Sequence, residues 1–159
     1  MQINEILKKN IQYFLIIFFV FFLDRLSKYF ILKHFDDPSI SDIKISSFLS
    51  LNLLWNNGIA FGLLQFENGF SYNLITFIIF CVLVIVLILA FKSKGLEKIS
   101  YLMIVGGGLG NIYDRLNYGS VIDFIDISYK NFNWFIFNVA DMFITLSIFI
   151  LILIEFKKK

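Results

Sequence analysis

Residues 74–91 read LITFIIFCVLVIVLILAF, a run that contains no charged side chain and a single hydroxyl group. A helix that crosses the hydrocarbon core of a bilayer needs about 20 predominantly apolar residues. The run therefore predicts a transmembrane helix over residues 72–91. The whole chain agrees, since 58% of its 159 residues are hydrophobic and 21 are Phe, whereas soluble domains are about 45–50% apolar.

Three weaker apolar segments accompany this run, and together they predict a bundle of four transmembrane helices. The other expected spans are 11–32, 99–115 and 138–156. The first is long enough only if its helix continues through Asp24 and Lys28. The third is diluted by glycines, but the spacing of Gly106 and Gly110 is one that lets membrane helices approach each other closely.

The distribution of charge predicts the orientation of the bundle. Eight of the 14 basic and three of the 12 acidic residues lie in the two terminal segments and between the second and third spans, a net charge of +5. The remaining residues carry a net charge of −3. Because Lys and Arg are enriched in cytoplasmic loops, we expect both termini in the cytoplasm and the loops 31–71 and 116–137 outside.

The outer loops contain a predicted β element. The prediction is a strand over residues 43–55, since Leu49, Leu51, Leu53 and Trp55 alternate with Ser50 and Asn52. The turn signal Asp36-Asp37-Pro38-Ser39 precedes it. The aromatic stretch 125–137 is compatible with a hairpin or a second small sheet. We therefore expect one all-α membrane domain over residues 1–159, with four transmembrane helices and a small β element on its outer face.

Two aspartates lie where the predicted spans meet this outer face. Asp123 follows Val121-Ile122, and Asp141 ends the string Phe137-Asn138-Val139-Ala140-Asp141. A charged group at the centre of a membrane helix costs about 2.5–3.5 kcal/mol on insertion scales, and two converging carboxylates can share a proton and activate water. The alternatives are structural: Asp141 can form a capping box with Asn138, and Asp123 can be a loop carboxylate paired with Arg115.

Other polar residues recur at spacings that bring them together. Asn111, Asp114 and Arg115 lie on one helical face, where Asp114 and Arg115 could also be a structural ion pair. Asp24 and Lys28 are spaced to pair along the first helix.

Three further observations bear on the chemistry. Asn56-Asn57-Gly58 is a turn signal that needs no function to explain it. A single cysteine, Cys81, excludes an intramolecular disulfide and a multi-cysteine metal site. A single histidine, His34, is too little for a zinc site built on histidines.

Four blocks of the sequence, in order, resemble the lipoprotein signal peptidase family, also called signal peptidase II. The blocks are Asp24-Arg25-Leu26-Ser27-Lys28, Asn56-Asn57-Gly58-Ile59-Ala60-Phe61-Gly62, Gly107 to Phe124, and Phe137 to Asp141. The departures are mild: Arg25 stands where the family has Gln, Ser27 replaces Thr, and Ile59 replaces Ala.

The resemblance implies a membrane aspartic endopeptidase that removes the signal peptide from diacylglyceryl-modified prolipoproteins and cuts just before the lipidated cysteine. Asp123 and Asp141 correspond to its catalytic residues. The residues that correspond to substrate-binding or site-supporting positions are Asn56, Gly58, Asn111, Asp114, Arg115, Asn138, Asp24 and Lys28. The implied location is the bacterial inner membrane, with the active site at the outer face. The implied partners are the prolipoprotein and membrane lipids, with no nucleic acid, metal or cofactor.

Three alternatives are weaker. Intramembrane aspartyl proteases of the Gly-x-Gly-Asp class need Asp where this chain has Asn111, and Asn cannot act as a general base. A small proton-coupled transporter or ion-conducting protein would place its carboxylates nearer the midplane and would show paired broken helices. A purely structural protein with four spans would not need the Asn-Asp strings.

Overall fold

A computed structural model describes residues 2–37, 41–58, 69–129 and 132–158. The helices are α1 (Gln2–His34), α2 (Gly69–Lys92), α3 (Gly95–Tyr118) and α4 (Val139–Lys158), and the strands are β1 (Ile43–Lys44), β2 (Leu49–Asn56), β3 (Val121–Tyr129) and β4 (Phe132–Phe137). The expectation of a mostly helical chain with a small β element is confirmed. Each predicted span falls on one helix, although α1 begins well before residue 11.

Helix α3 lies at the centre of the bundle and contacts the other three helices. Its glycines make this possible, because a side chain would fill the space that the neighbours occupy. A methyl group at Gly107 would lie 2.9 Å from the Ala140 carbonyl oxygen, and one at Gly110 would lie 2.5 Å from Asp24 Oδ2. Close approach at these glycines brings α1 and α4 together at one end of α3.

The four strands form one antiparallel sheet in the order β1-β2-β3-β4. The predicted continuous strand over 43–55 is wrong: the amides of Ile45 and Ser46 both donate to the Leu49 carbonyl oxygen, and this tight turn divides it into a hairpin. The hairpin alternative for 125–137 is correct and the second-sheet alternative is wrong. Strand β3 begins earlier, at Val121, so Asp123 lies in the sheet. The expected turn at 36–39 lies partly outside the described residues.

The sheet is attached to the end of α1 by a small apolar core. Ile122 and Phe124 on β3 pack with Ile31 on α1, and all three are buried. Alternation along β3 turns Ile122 and Phe124 to this core and Asp123 to the other face. The sheet therefore holds Asp123 over the helical bundle.

The helical bundle buries polar groups and exposes apolar ones, the reverse of a soluble domain. Large apolar side chains on all four helices are exposed, including Phe14, Phe77, Leu116 and Phe156. Among the described residues, α2 and α4 are long and apolar enough to cross a membrane. Helices α1 and α3 fall below that criterion, and four of their charged residues are buried: Asp24, Lys28, Asp114 and Arg115.

Candidate active site

Asp123 lies near the start of β3, buried and held by two side-chain amides. Its Oδ2 accepts a hydrogen bond from Asn56 Nδ2 at 2.8 Å, and its Oδ1 accepts one from Asn138 Nδ2 at 2.6 Å. Asn56 lies at the end of the neighbouring strand, and Asn138 directly precedes α4. The sheet register and the start of α4 together orient this carboxylate.

Asp141 lies in the first turn of α4, where it takes part in the capping box that the sequence predicts. Its backbone N–H donates to Asn138 Oδ1 at 3.0 Å, and its Oδ2 accepts from the Asn138 N–H at 3.4 Å. Its Oδ1 accepts a further hydrogen bond from Asn111 Nδ2 at 2.8 Å. The capping alternative is therefore correct. The hydrogen bond from Asn111 on α3 is a third one, which a cap does not require.

Asn111 and Asn138 connect the two carboxylates. Asn138 Nδ2 donates to Asn111 Oδ1 at 3.2 Å as well as to Asp123, and Asn111 donates to Asp141. The two side-chain amides thus lie between the aspartates and fix the orientation of both carboxylates. The structure brings together five of the residues that the sequence singled out: Asn56, Asn111, Asp123, Asn138 and Asp141.

Burial raises the pKa of Asp123 from its ordinary value of 3.8 to about 7. Loss of hydration is the largest cause, and the negative charge of Asp141 adds to it. Hydrogen bonds from Asn56 and Asn138 and the charge of Lys28 act in the opposite direction. Near neutral pH the pair therefore retains a proton, as two interacting carboxylates do.

A cavity of about 460 Å³ opens beside the aspartates. Its polar end is lined by Asn56, Asn111, Arg115, Asp123 and Asp141, and its apolar part is lined by α2, α3 and α4. Ile104 and Arg115 both line it, and eleven residues of helix rise about 16 Å. The cavity is therefore a long apolar groove with carboxylates at one end.

Arg115 is buried but does not pair with either expected carboxylate. Its Nη2 donates to the Gly58 carbonyl oxygen at 2.9 Å, and its Nη1 donates to the Asn111 carbonyl oxygen at 3.5 Å. Gly58 in turn donates its N–H to Asn56 Oδ1 at 2.8 Å, which confirms the predicted turn. The suggested ion pairs of Arg115 with Asp123 and with Asp114 are wrong, since the guanidinium faces the turn after β2.

Asp114 instead belongs to a buried ionic cluster, which we define as Asp24, Arg25, Lys28 and Asp114. The predicted pair of Asp24 and Lys28 is present at 3.0 Å, and Lys28 Nζ also lies 2.7 Å from Asp114 Oδ2. Lys28 further donates to Asn111 Oδ1 at 2.9 Å, which links the cluster to the two aspartates.

Arg25 completes the cluster, and the sequence alone did not assign it a role. Its guanidinium contacts Asp24 at 2.8 Å and Asp114 at 2.6 Å. The sequence contained no local signal for this role, because Asp114 had Arg115 as an expected partner and Arg25 is 89 positions away from it. Of the expected second block, Ala60, Phe61 and Gly62 lie outside the described residues.

The arrangement suits acid–base chemistry. One carboxylate with a proton and one without can polarise a carbonyl and activate a water molecule at the same time. The amides of Asn56, Asn111 and Asn138 orient the carboxylates without supplying a charge. The groove beside them provides an apolar environment for a substrate.

Sequence comparisons match proteins of one kind. A family model described as signal peptidase (SPase) II matches residues 16–157. The lipoprotein signal peptidase of Pelagibacter ubique is 42% identical over 153 residues, which cover 96% of this chain and 92% of that protein. The lipoprotein signal peptidase of Buchnera aphidicola is 40% identical over 149 residues, which cover 92% of each chain.

Two solved bacterial membrane enzymes have similar folds. One, determined by the in meso method at 2.3 Å resolution, has a TM-score of 0.70 and 27% identity, and the match covers 92% of this chain and 88% of that one. The other, determined by the same method at 1.9 Å, has a TM-score of 0.66 and 28% identity, covering 91% and 92%.

Proposed function

The chain belongs to the signal peptidase II family, and from that premise we propose that it hydrolyses its substrate by aspartic chemistry at Asp123 and Asp141. It is a membrane protease that removes signal peptides from prolipoproteins. The observation that carries the catalytic assignment is the pair of buried carboxylates, joined through Asn111 and Asn138 at the end of an apolar groove.

The reaction follows from one proton shared by two carboxylates. The ionised carboxylate accepts a proton from water, and the resulting hydroxide equivalent forms a bond to the scissile carbonyl carbon. The protonated carboxylate donates its proton to the carbonyl oxygen. Collapse of the tetrahedral intermediate breaks the C–N bond, the first carboxylate gives its proton to the leaving amine, and a hydroxyl proton of the intermediate returns to the second carboxylate.

The supporting residues have separate roles in this proposal. Asn56, Asn111 and Asn138 orient the two carboxylates through the hydrogen bonds described above. Arg115 secures the turn at Gly58 beside the site. Asp24, Lys28 and Asp114 support the site from the ionic cluster.

We further propose that the substrate is a prolipoprotein whose cysteine carries a diacylglyceryl group. A diacylglyceryl-modified cysteine carries two acyl chains that need apolar surroundings next to the scissile bond. The groove offers them, since Leu83, Val86, Ile144 and Ile148 line it below the carboxylates. Cleavage just before the lipidated cysteine then places the scissile carbonyl at the polar end.

We also propose that all four helices span the bacterial inner membrane as a single domain over residues 1–159, with both termini in the cytoplasm and the active site at the outer face. The exposed apolar side chains of all four helices and the positive charge of the terminal segments support this. Membrane lipids are then its surroundings, and nucleic acid has no part.

In a Cys81→Ser background, an impermeant thiol reagent added outside should label Ser46→Cys but not Lys94→Cys; the opposite pattern would reverse the orientation.

The proton-coupled transporter alternative has no support from the family or from the relatives. The argument for a transporter from the sequence depended only on the pair of carboxylates. Here the match to a protease family extends over residues 16–157, a range that includes both carboxylates. We therefore retain the protease function.

The test of the catalytic assignment is substitution of each aspartate. Asp123→Asn and Asp141→Asn should each abolish cleavage of a diacylated prolipoprotein by purified protein in lipid, because the amide keeps the shape but cannot exchange the proton. Lys33→Gln, an exposed change on α1, is the control and should leave cleavage unchanged. Substantial turnover by either Asn variant, with normal folding by circular dichroism, would remove that aspartate from the mechanism.

A further inference from the structure

The residue before each proposed catalytic aspartate is tied to the ionic cluster through its backbone. The N–H of Ala140, which precedes Asp141, donates to Asp24 Oδ1 at 3.1 Å. The N–H of Ile122, which precedes Asp123, donates to Asp114 Oδ2 at 3.2 Å. Each cluster carboxylate therefore holds the backbone of one of the two aspartates.

Arg25 connects these two cluster carboxylates directly. Its Nη2 lies 2.8 Å from Asp24 Oδ2, and its Nη1 lies 2.6 Å from Asp114 Oδ1. A guanidinium is a planar, rigid fork whose donors have a fixed separation, unlike the point charge of an ammonium group. The ring of Tyr113 covers the guanidinium at 4.7 Å from the centroid and restricts it further. The guanidinium therefore adds a rigid bridge between Asp24 and Asp114 to the contacts that Lys28 Nζ makes with both carboxylates at 3.0 and 2.7 Å.

Arg25 also balances the charge of the cluster. Asp24 and Asp114 contribute two negative charges in a region from which water is excluded, and Lys28 contributes one positive charge. The cluster is neutral only when Arg25 is present. Removing one partner from a buried ionic group leaves an uncompensated charge, which is strongly unfavourable.

We propose that Arg25 is a positioning residue that sets the distance between Asp123 and Asp141 by bridging Asp24 and Asp114. The inference rests on the proposed aspartic mechanism. The chain of contacts runs from Arg25 to each cluster carboxylate, from there to a backbone N–H, and then to the adjacent catalytic carboxylate. Arg25 touches no substrate in this scheme, so its substitution should affect turnover and not substrate binding.

The kinetic test compares Arg25→Gln and Arg25→Lys with Lys33→Gln, which removes an exposed cation from the same helix. Because small misplacements of reacting groups are costly, kcat per folded enzyme should fall by about 10–100-fold in Arg25→Gln with KM unchanged. Arg25→Lys should lose less, and Lys33→Gln nothing. A purely stabilising role would lower Tm but leave kcat per folded molecule unchanged, and a raised KM alone would make Arg25 a substrate contact; either result overturns the proposal.

A second measurement does not depend on cleavage. In Arg25→Gln, amide hydrogen exchange measured by NMR should be faster at Ile122 and Ala140 by about tenfold than in Lys33→Gln, while the distal parts of β3 and α4 stay protected. Unchanged exchange at both amides would overturn the proposal. If wild type showed no cleavage, the proposed function would fail while the exchange result still tested the role of Arg25.

A double variant covers the case in which Arg25→Gln does not fold. Arg25→Gln combined with Asp114→Asn restores a neutral cluster but not the guanidinium bridge. It should fold, keep the low kcat, and keep fast exchange at Ala140. Full recovery of kcat would show that charge balance alone matters, which would overturn the bridging role.

Discussion

Lysines at opposite ends of the bundle form ion pairs of similar length in very different surroundings. Lys28 lies 3.0 Å from Asp24 and 2.7 Å from Asp114, and the three side chains are at most 1% exposed. Lys158 lies 3.1 Å from Glu97 and 3.7 Å from Glu155, and its side chain is 51% exposed. The same chemical groups are thus buried next to the aspartates and solvated at the far end.

Burial decides what each set contributes. An exposed pair gains little, because water and salt screen it and both side chains lose freedom. A buried set has already lost its hydration, so removing one member leaves the others without compensation. The buried set also makes hydrogen bonds to the backbone beside Asp123 and Asp141, whereas the exposed set is far from the site. The burial of Lys28 beside the site, and not the presence of an ion pair, therefore makes its substitution costly.

The largest expected effect in this comparison is that of Lys28→Met. It should lower the free energy of unfolding by about 3–5 kcal/mol, because Asp24 and Asp114 lose a buried cation. Thermal unfolding in detergent at pH 7 measures it. A loss no greater than that of Lys158→Met under the same conditions would remove the distinction between the two sets.

A smaller effect on the free energy of unfolding is expected from ionisation of the buried Asp123 carboxyl group. Its pKa is about 7 in the folded protein and 3.8 when unfolded, so the folded state binds more protons between these values. Its contribution to the free energy of unfolding is therefore full below pH 3.8 and is lost as the pH rises through about 7. Asp123→Asn does not titrate, so its stability relative to wild type should rise by at most about 4 kcal/mol over this window.

Thermal unfolding of wild type and Asp123→Asn at pH 5 and pH 8 checks this expectation. Two hydrogen-bond donors, from Asn56 and Asn138, face the side chain, so the variant carries a constant cost at both pH values. Only the pH-dependent difference tests the pKa. The same difference at pH 5 and pH 8 would show that Asp123 has an ordinary pKa.

The smallest effect is expected at the exposed set. Lys158→Gln should leave both Tm and the cleavage rate unchanged at low and at high salt, because its partners remain solvated. A loss of stability that disappears at high salt would show that this pair contributes after all. A loss of cleavage would show that the far end of the bundle is coupled to the site.

Local sequence patterns predicted the helices, the polar strings and the cap. Apolar runs located α2 and α4, and the string from Asn138 to Asp141 predicted the capping box that holds Asp141. These features depend on neighbours a few positions away, so the sequence contains the necessary information. The strand over 43–55 was wrong because a tight turn at Ile45 and Ser46 lacked the glycine or asparagine signal that usually marks one.

Sequence alone determined that the chain belongs in a membrane and that Asp141 lies at the start of an apolar segment, because hydrophobic length and the positions of charges are properties of the linear chain. Only the tertiary structure decided which polar side chain contacts each carboxylate. Arg25 and Asp114 are 89 positions apart, and Asn56 and Asp123 are 67 apart. These groups meet because the glycines of α3 let α1 approach and because β2 pairs with β3. The glycine spacing indicates a close approach, but no local pattern identifies the partner in either contact.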